Sequence, residues 1–222
     1  MSRGLLFSQM EPPAGSEAES HDWYETEHIP RRLAIPGFQS AVRFEAVSGE
    51  PRYLACYFLD DMGALETAAY RSLKADPGER TARILASVEG FTRYVCDEIS
   101  DTGPARARPG CLSVVAFAVP PHDEAQFEGW YQDEHVGLLM LVPGWLRIRR
   151  YRVRSASFDG PAWTHIALHE LTGPEALERP ERTAARQGPR REALASLPWF
   201  AASGRWIYRP IHDARADHAR AA

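Results

Sequence analysis

Lysine is almost absent from this chain. Lys74 is the only one among 26 basic residues. It lies in the polar stretch Arg71 to Arg80, which argues against Schiff-base chemistry, since that would have to use this side chain. Cysteine is scarce as well. Cys56, Cys96 and Cys111 lie far apart, with no Cys-x-x-Cys pair. That excludes a disulfide framework or a zinc ribbon and makes a reducing cytoplasm the expected location. No apolar run reaches the length of about eighteen residues that a transmembrane helix needs. Met1 to Met10 lacks a basic region, a long apolar core and a cleavage site, so no leader peptide is expected. There is no excess of either charge. The 222 residues are 44% hydrophobic and 25% charged, with a formal net charge of −4, which fits a soluble globular protein without a nucleic-acid or membrane partner. No phosphate loop, Gly-x-Gly-x-x-Gly, Gly-x-Ser-x-Gly or His-Glu-x-x-His is found, which disfavours nucleotide-dependent and serine-hydrolase chemistry.

What is present is a repeat. Trp23-Tyr24-Glu25-Thr26-Glu27-His28 is echoed by Trp130-Tyr131-Gln132-Asp133-Glu134-His135. The offset, 130 − 23 = 107, also aligns Pro36-Gly37-Phe38 with Pro143-Gly144-Trp145 and Arg43-Phe44 with Arg150-Tyr151. Such a period is too long for a solenoid and has the length of a small domain. The expected division is a first unit over 1–100, a Pro/Gly-rich linker over 101–110, a second unit over 111–211 and a flexible tail over 212–222.

Each half gives the same order of elements. Apolar runs at Leu5 to Met10 and Cys111 to Val119 read as strands. Helices follow at Ser16 to Ala34 and Asp123 to Leu141, each stopped by Pro-Gly. Two strands come next, then second helices over Gly63 to Ser87 and Gly173 to Leu197, then a last strand. The order βαββαβ is the ferredoxin-like unit. Its sheet has one uncovered apolar face, so the predicted fold is α+β. Two tandem ferredoxin-like units pack sheet to sheet as a pseudo-dimeric α/β barrel with helices outside. The expected particle is a monomer acting as a pseudo-dimer, with a homodimer left open.

The motif Trp23-Tyr24-x-x-Glu27-His28-Ile29-Pro30, followed by Ile35-Pro36-Gly37-Phe38, resembles the dimeric α/β-barrel superfamily and, within it, the EthD-like group. The stretch Pro51-Arg52-Tyr53-Leu54-Ala55-Cys56-Tyr57-Phe58-Leu59 is similar to that family's third strand. The resemblance covers both halves. It implies relatives that include cofactor-free monooxygenases, muconolactone isomerases, polyketide cyclases, dehydratases and haem-degrading enzymes. Fold alone does not choose among these reactions.

Candidate chemistry centres on His28 and His135, which hold the same position in the repeat. Histidine is the usual general acid or base near neutrality. Tyr24 and Tyr131 lie four residues earlier, on the same helix face, and could polarise a carbonyl or phenol oxygen. The alternative is that each His ties its helix end to the sheet. Trp23 and Trp130 complete the motif. Glu134, unlike Glu27, has no arginine four residues on.

On the third strands, Tyr53 and Tyr57 align with His165 and His169. Alternation puts each pair on one face. His135, His165 and His169 would meet if that face looks toward its helix. The two strand histidines are about 13 Å apart at the backbone, too far for one metal ion, and no metal site is assigned. Arg147, Arg149, Arg152 and Arg154 are read as guards of a free sheet edge. Arg43 and Arg150, paired by the repeat, would bind a substrate carboxylate or anchor the helix glutamate. Phe38, Trp145 and Trp163 are assigned to the core. The expected function is a small-molecule enzyme without an organic cofactor. It would act on an apolar, aromatic or polyketide-like substrate as a lyase, isomerase, cyclase or cofactor-free monooxygenase. The alternatives are a haem- or ligand-binding barrel without turnover and a structural module.

Overall fold

A computed structural model describes residues 2–104, 109–157 and 160–217. Eight strands dominate it: β1 (Gly4–Glu11), β2 (Phe38–Ser48), β3 (Tyr53–Leu59), β4 (Glu89–Thr102), β5 (Cys111–Phe117), β6 (Trp145–Ser157), β7 (His165–Leu171) and β8 (Gly204–Arg215). They close into one antiparallel barrel in the order β1-β3-β2-β8-β5-β7-β6-β4. The first four strands in sequence are neighbours, and so are the last four. Two seams join the groups. In one, β2 pairs with β8, with Ala41 opposite Ala214; in the other, β4 pairs with β6, with Asp97 opposite Arg152.

Closure corrects the expectation of two sheets packed face to face. The sheets meet edge to edge, because pairing their outer strands satisfies ladder groups that face-to-face packing would leave open. An eight-stranded barrel is just wide enough to be filled by side chains. Leu5, Phe7, Cys56, Tyr94, Val114, Tyr151, Leu168 and Tyr208 fill it. The opposite faces of the same strands carry Leu6, Tyr57, Ala167 and Leu171, which pack under the helices. Cavities lie between strands and helices, and a further one opens beside the barrel residues Phe44 and Phe58.

Two boundary expectations, and the edge role given to the β6 arginines, change for the same reason. Asp101 and Thr102, assigned to the linker, continue β4 opposite Arg149 and Ile148; residues 105–108 lie outside the described residues. His212 to Arg215, assigned to the tail, continue β8, and His212 lies opposite Arg43; residues 218–222 lie outside the described residues. The arginines of β6 guard no free edge. Arg147 pairs with Asp101 at 2.5 Å and Arg154 with Asp97 at 2.5 Å, both across the β4 seam. Arg149 pairs with Glu170 of β7. Arg152 reaches Glu124 at 2.5 Å.

The first helix of each half is continuous but not uniform. α1 (Glu17–Trp23) passes through a π-helical turn (Tyr24–His28) into α2 (Ile29–Leu33). α5 (Glu124–Trp130), a π-helical turn (Tyr131–His135) and α6 (Val136–Leu139) repeat the pattern. Each stops at a Pro-Gly turn whose glycine has positive φ, +98° at Gly37 and +90° at Gly144, a region glycine enters without cost.

The second helical segments are broken, against the expectation of long helices. In the first half they are a 3₁₀ turn (Met62–Glu66), α3 (Ala68–Ala75) and α4 (Glu79–Ser87). In the second they are a 3₁₀ turn (Pro174–Glu178), α7 (Glu181–Ala185), α8 (Pro189–Ala195) and α9 (Pro198–Ala201). Proline at the head of α8 and α9, with Gly78 and Gly188 at positive φ before α4 and α8, starts new helices rather than extending old ones.

Candidate functional site

The π-helical turns set the site geometry. In each, the backbone bond runs over five residues: Ile29 N–H donates to the Tyr24 carbonyl and Val136 N–H to that of Tyr131. In an α-helix, residues five apart point about 140° away from each other. The wider turn brings them onto one side. Trp130 therefore stacks on His135, with ring centres 4.5 Å apart and planes at 26°. Trp23 lies 4.1 Å from His28, with the planes tilted by 48°. Each tyrosine meets its histidine edge-on, at 5.1 Å for Tyr24–His28 and 5.2 Å for Tyr131–His135.

In the second half these rings line a cavity of about 210 Å³ between the sheet and α5 to α9. Tyr131, His135, His169, Trp130 and Trp145 share its wall. Hydrogen bonds fix their protonation. Trp145 Nε1–H donates to His169 Nδ1 at 3.2 Å. Indole nitrogen can only donate, so His169 Nδ1 is the bare nitrogen. Burial holds the His169 pKa near 3, so the ring is neutral and its proton sits on Nε2. Nε2 is 2.8 Å from the Tyr131 hydroxyl and donates to it. Tyr131 must then direct its own proton elsewhere, and it lines the cavity. Burial raises its pKa, so it stays a phenol.

His135 is fixed in the opposite tautomer. Its Nδ1 lies 2.8 Å from the Ala185 carbonyl, which can only accept. Nδ1 thus carries the proton and Nε2 keeps a lone pair. Burial lowers its pKa to about 4, against the raising effect of that carbonyl. A proton donor on Tyr131 and a neutral acceptor on His135 stand side by side on one wall. Trp130 Nε1–H, buried, has no partner among the described residues.

The first half has a counterpart cavity of about 270 Å³, lined by Leu6, Met10, Tyr24, His28, Tyr57 and Phe91 among others. His28 is 7% exposed and burial holds its pKa well below the usual value. Tyr24, its pKa raised to about 12 by burial, donates only to Met10 Sδ at 3.5 Å. The Tyr57 hydroxyl is buried without a partner among the described residues. Trp23 leaves the cavity wall and bonds Thr81 at 2.9 Å.

Several candidate residues fall elsewhere. His165 shares the strand face of His169, as alternation requires, but lies outside the cavity. It packs on Phe127 at 5.1 Å and sits 3.4 Å from Glu128, so the meeting of three histidines reduces to His135 and His169. Two strand pleats separate His165 from the cavity floor, and α5 covers it. Arg150 is buried behind Tyr131, with its guanidinium 4.4 Å from that ring, 2.5 Å from Glu128 and 3.1 Å from Gln132. Arg43 repeats this at 4.2 Å from Tyr24, bonded to His21 at 2.9 Å. Both arginines anchor the helix and back the tyrosine; neither lines a cavity. Tyr53 packs on His21 at 5.1 Å, also away from the cavity. Glu134 lies beside Gly188 at the start of α8. Trp145, assigned to the core, is the residue that orients His169. Arg182, Arg186, Arg191 and Arg205 also line the second cavity. The alternation of β8 places Arg205 with Ile207, a signal the sequence reading did not use. Among the described residues, no cluster of three or more His, Cys, Asp or Glu could hold a metal, and no helix is long and apolar enough to cross a membrane.

Comparison with known proteins gives the class of fold. No family model matches the chain, and no curated protein does. Solved structures do. An anthrone oxidase-like protein superposes with a TM-score of 0.71 at 13% identity, covering 98% of this chain and 94% of its own. A protein assigned as a monooxygenase from Fusobacterium nucleatum gives 0.64 at 11% identity, covering 96% and 94%. One assigned as the chlorite dismutase TA0507 gives 0.55 at 14%, covering 96% of each. The chain shares the fold of these structures, an eight-stranded closed barrel flanked by helices.

Proposed function

We propose that this protein is a small-molecule enzyme whose second-half cavity performs proton transfer on a flat aromatic substrate, without haem or an organic cofactor. The observation that carries the reading is the pairing of opposite tautomers. His169 turns the Tyr131 proton toward the cavity, and Ala185 leaves the His135 lone pair free beside it. His135 removes a proton from an activated C–H or O–H. Tyr131 donates a hydrogen bond to the substrate oxygen on which the negative charge develops.

Cavity size supports a ring substrate and argues against haem. A cavity of ~150 Å³ admits benzene. The present 210 Å³ is room for about two fused rings, with the remainder of a larger molecule in the open mouth, and is too small for a porphyrin. The likeness to an anthrone oxidase-like protein supports, as the reacting group, a methylene flanked by two aryl rings and conjugated through them to the carbonyl across the central ring. Its carbanion reacts with dioxygen: CH₂ plus O₂ gives C=O plus H₂O. The repeat and the neighbouring strand groups support a tandem duplication of a ferredoxin-like unit, and the Trp-Tyr-x-x-Glu-His motif supports a likeness to EthD-like proteins. The three cysteines are free and buried, in keeping with a reducing cytoplasm.

The test is oxygen uptake at pH 7 with anthrone and ring-carboxylated anthrones, measured over the enzyme-free rate with purified protein and with His135→Ala. Product formation that needs His135 is expected. Uptake equal to the blank on the whole series, or unchanged in His135→Ala, overturns the reading.

A further inference from the structure

The mouth of the second cavity is built of guanidinium groups. Arg182 and Arg191 are half-buried there; Arg186 and Arg205 are exposed. They come from separate elements: Arg182 from α7, Arg186 from the residue after it, Arg191 from α8 and Arg205 from β8. Their convergence is a product of the fold. Glu178 is the one carboxylate on the same wall.

Eight arginines elsewhere in the chain pair with acids: Arg52, Arg80, Arg83, Arg147, Arg149, Arg150, Arg152 and Arg154. At this mouth no ion pair forms within 4.0 Å among the described residues. Arg182 donates to the Leu177 carbonyl at 2.6 Å and Arg191 to the Arg186 carbonyl at 3.0 Å. Burial, with repulsion from Arg186, lowers the pKa of the half-buried Arg182 and Arg191. Below the arginines lie two further donors, the Tyr131 hydroxyl and the unpartnered Trp130 indole N–H. The first-half cavity differs. Its Arg93 donates to the Tyr70 hydroxyl at 2.6 Å, and its Arg32 lies 5.4 Å over the Tyr57 ring.

We propose that the second cavity selects aromatic carboxylates, with the rings between Trp130, Tyr131 and Trp145 and the carboxylate held at the mouth by Arg182, Arg186, Arg191 and Arg205. A planar guanidinium matches a carboxylate through two parallel hydrogen bonds. Four guanidinium groups share this wall with a single carboxylate, Glu178, and the excess positive charge is offset by an anion that enters among them. The assignment rests on the preceding reading, in that the bound acid is the substrate presented to His135.

The test is calorimetric titration of the full chain with 1-naphthoate, its neutral isostere 1-naphthamide, and 1-naphthyl phosphate. Naphthoate is expected to bind at least about 10-fold more tightly than naphthamide, the scale of a charge-assisted pair. Its affinity falls with added NaCl as the field is screened. Arg186→Gln and Arg205→Gln change exposed side chains and are expected to keep the wild-type circular dichroism spectrum. Each weakens naphthoate by about 10-fold and leaves naphthamide unchanged. Arg205→Lys recovers part of the loss.

Equal affinity for acid and amide, no binding of either, or indifference to both arginine substitutions overturns the proposal. Tight binding of the phosphate with none of the carboxylate overturns the carboxylate assignment. His135→Ala separates the two readings. It retains naphthoate affinity while losing turnover if both hold. Turnover without acid preference sinks the mouth assignment alone, and acid preference without turnover sinks the catalytic one alone.

Discussion

The Tyr131 hydroxyl stands 2.8 Å from His169 Nε2, and because Trp145 occupies the other nitrogen of that ring at 3.2 Å, the direction of the bond is fixed. Trp145 donates to His169, and His169 donates to Tyr131. The phenol proton is left for the cavity. Tyr131→Phe deletes that proton and leaves the ring packing in place. The expected loss in kcat/KM for oxygen uptake is about 100-fold, typical of one donor to a developing charge. His169→Phe removes only the orientation, with an expected loss of about 10-fold that falls on kcat rather than KM. Equal activity of Tyr131→Phe and the wild type would rule out the role.

The pH profile should carry the mark of a buried base. A histidine at its ordinary value would cut activity off near pH 6.5. His135 is held near 4 by burial, so it remains a free base well below neutrality. The expected kcat/KM is flat from pH 8 to about 5 and falls as pH approaches 4. An acid limb centred at 6.5 would point to another group.

Stability should depend on pH through the same burial. His135 and His165 are lowered to about 4, His169 to about 3 and His28 well below its usual value, burial leading in each case. The unfolded chain binds protons at these sites before the folded chain does. Their contribution is fully present above pH 6.5 and is lost as pH falls from there toward 3–4. The slope approaches about 1.4 kcal/mol per pH unit for each group. Urea unfolding at pH 7.5, 5.5 and 4.5 measures this. A midpoint that holds constant over that range contradicts it.

The buried arginines offer a matched pair of substitutions. Arg150→Met leaves Glu128 without its partner and Tyr131 without the cation behind its ring. The expected cost is about 2–4 kcal/mol. Arg43→Met should cost less, because the Glu25 carboxylate it faces is 3.8 Å away and 42% exposed. Chemical denaturation of both variants checks the order, and a larger loss at Arg43 would contradict it.

The Pro-Gly turns carry a backbone requirement. At Gly144, φ is +90° and an added Cβ would lie 2.7 Å from Thr172 Oγ1 and 3.1 Å from Ala176 Cβ. Gly144→Ala is therefore expected to cost about 1–3 kcal/mol and to lower the thermal midpoint. Gly137 has open space around an added Cβ, and Gly137→Ala should be neutral or stabilising within α6.

Much of the site was legible in the linear pattern. The repeated Trp-Tyr and Glu-His placed both motifs on equivalent helices, and alternation on β7 put His165 and His169 on one face, while which face looks at the helix was left to the structure. The tautomers were not legible. They depend on Trp145 and on the Ala185 carbonyl, which approach from other elements. Nor was the separation of His165 from His135, since α5 lies over one strand histidine and the cavity over the other.

Sequence by itself determined the repeated Trp-Tyr and Glu-His motif, the order of strands and first helices, and the stops at Pro36-Gly37 and Pro143-Gly144, because these rest on local periodicity and on backbone angles that single residues impose. Tertiary structure decided the rest. Edge pairing closed one barrel because unpaired ladder groups at β2, β4, β6 and β8 found partners only in the other half. Trp130 stacked on His135 because the helix widened into a π-turn, which no spacing rule for an α-helix anticipates. Four arginines distant in sequence from His135 gathered at its cavity because α7, α8 and β8 end there, and only the packed chain brings those ends together.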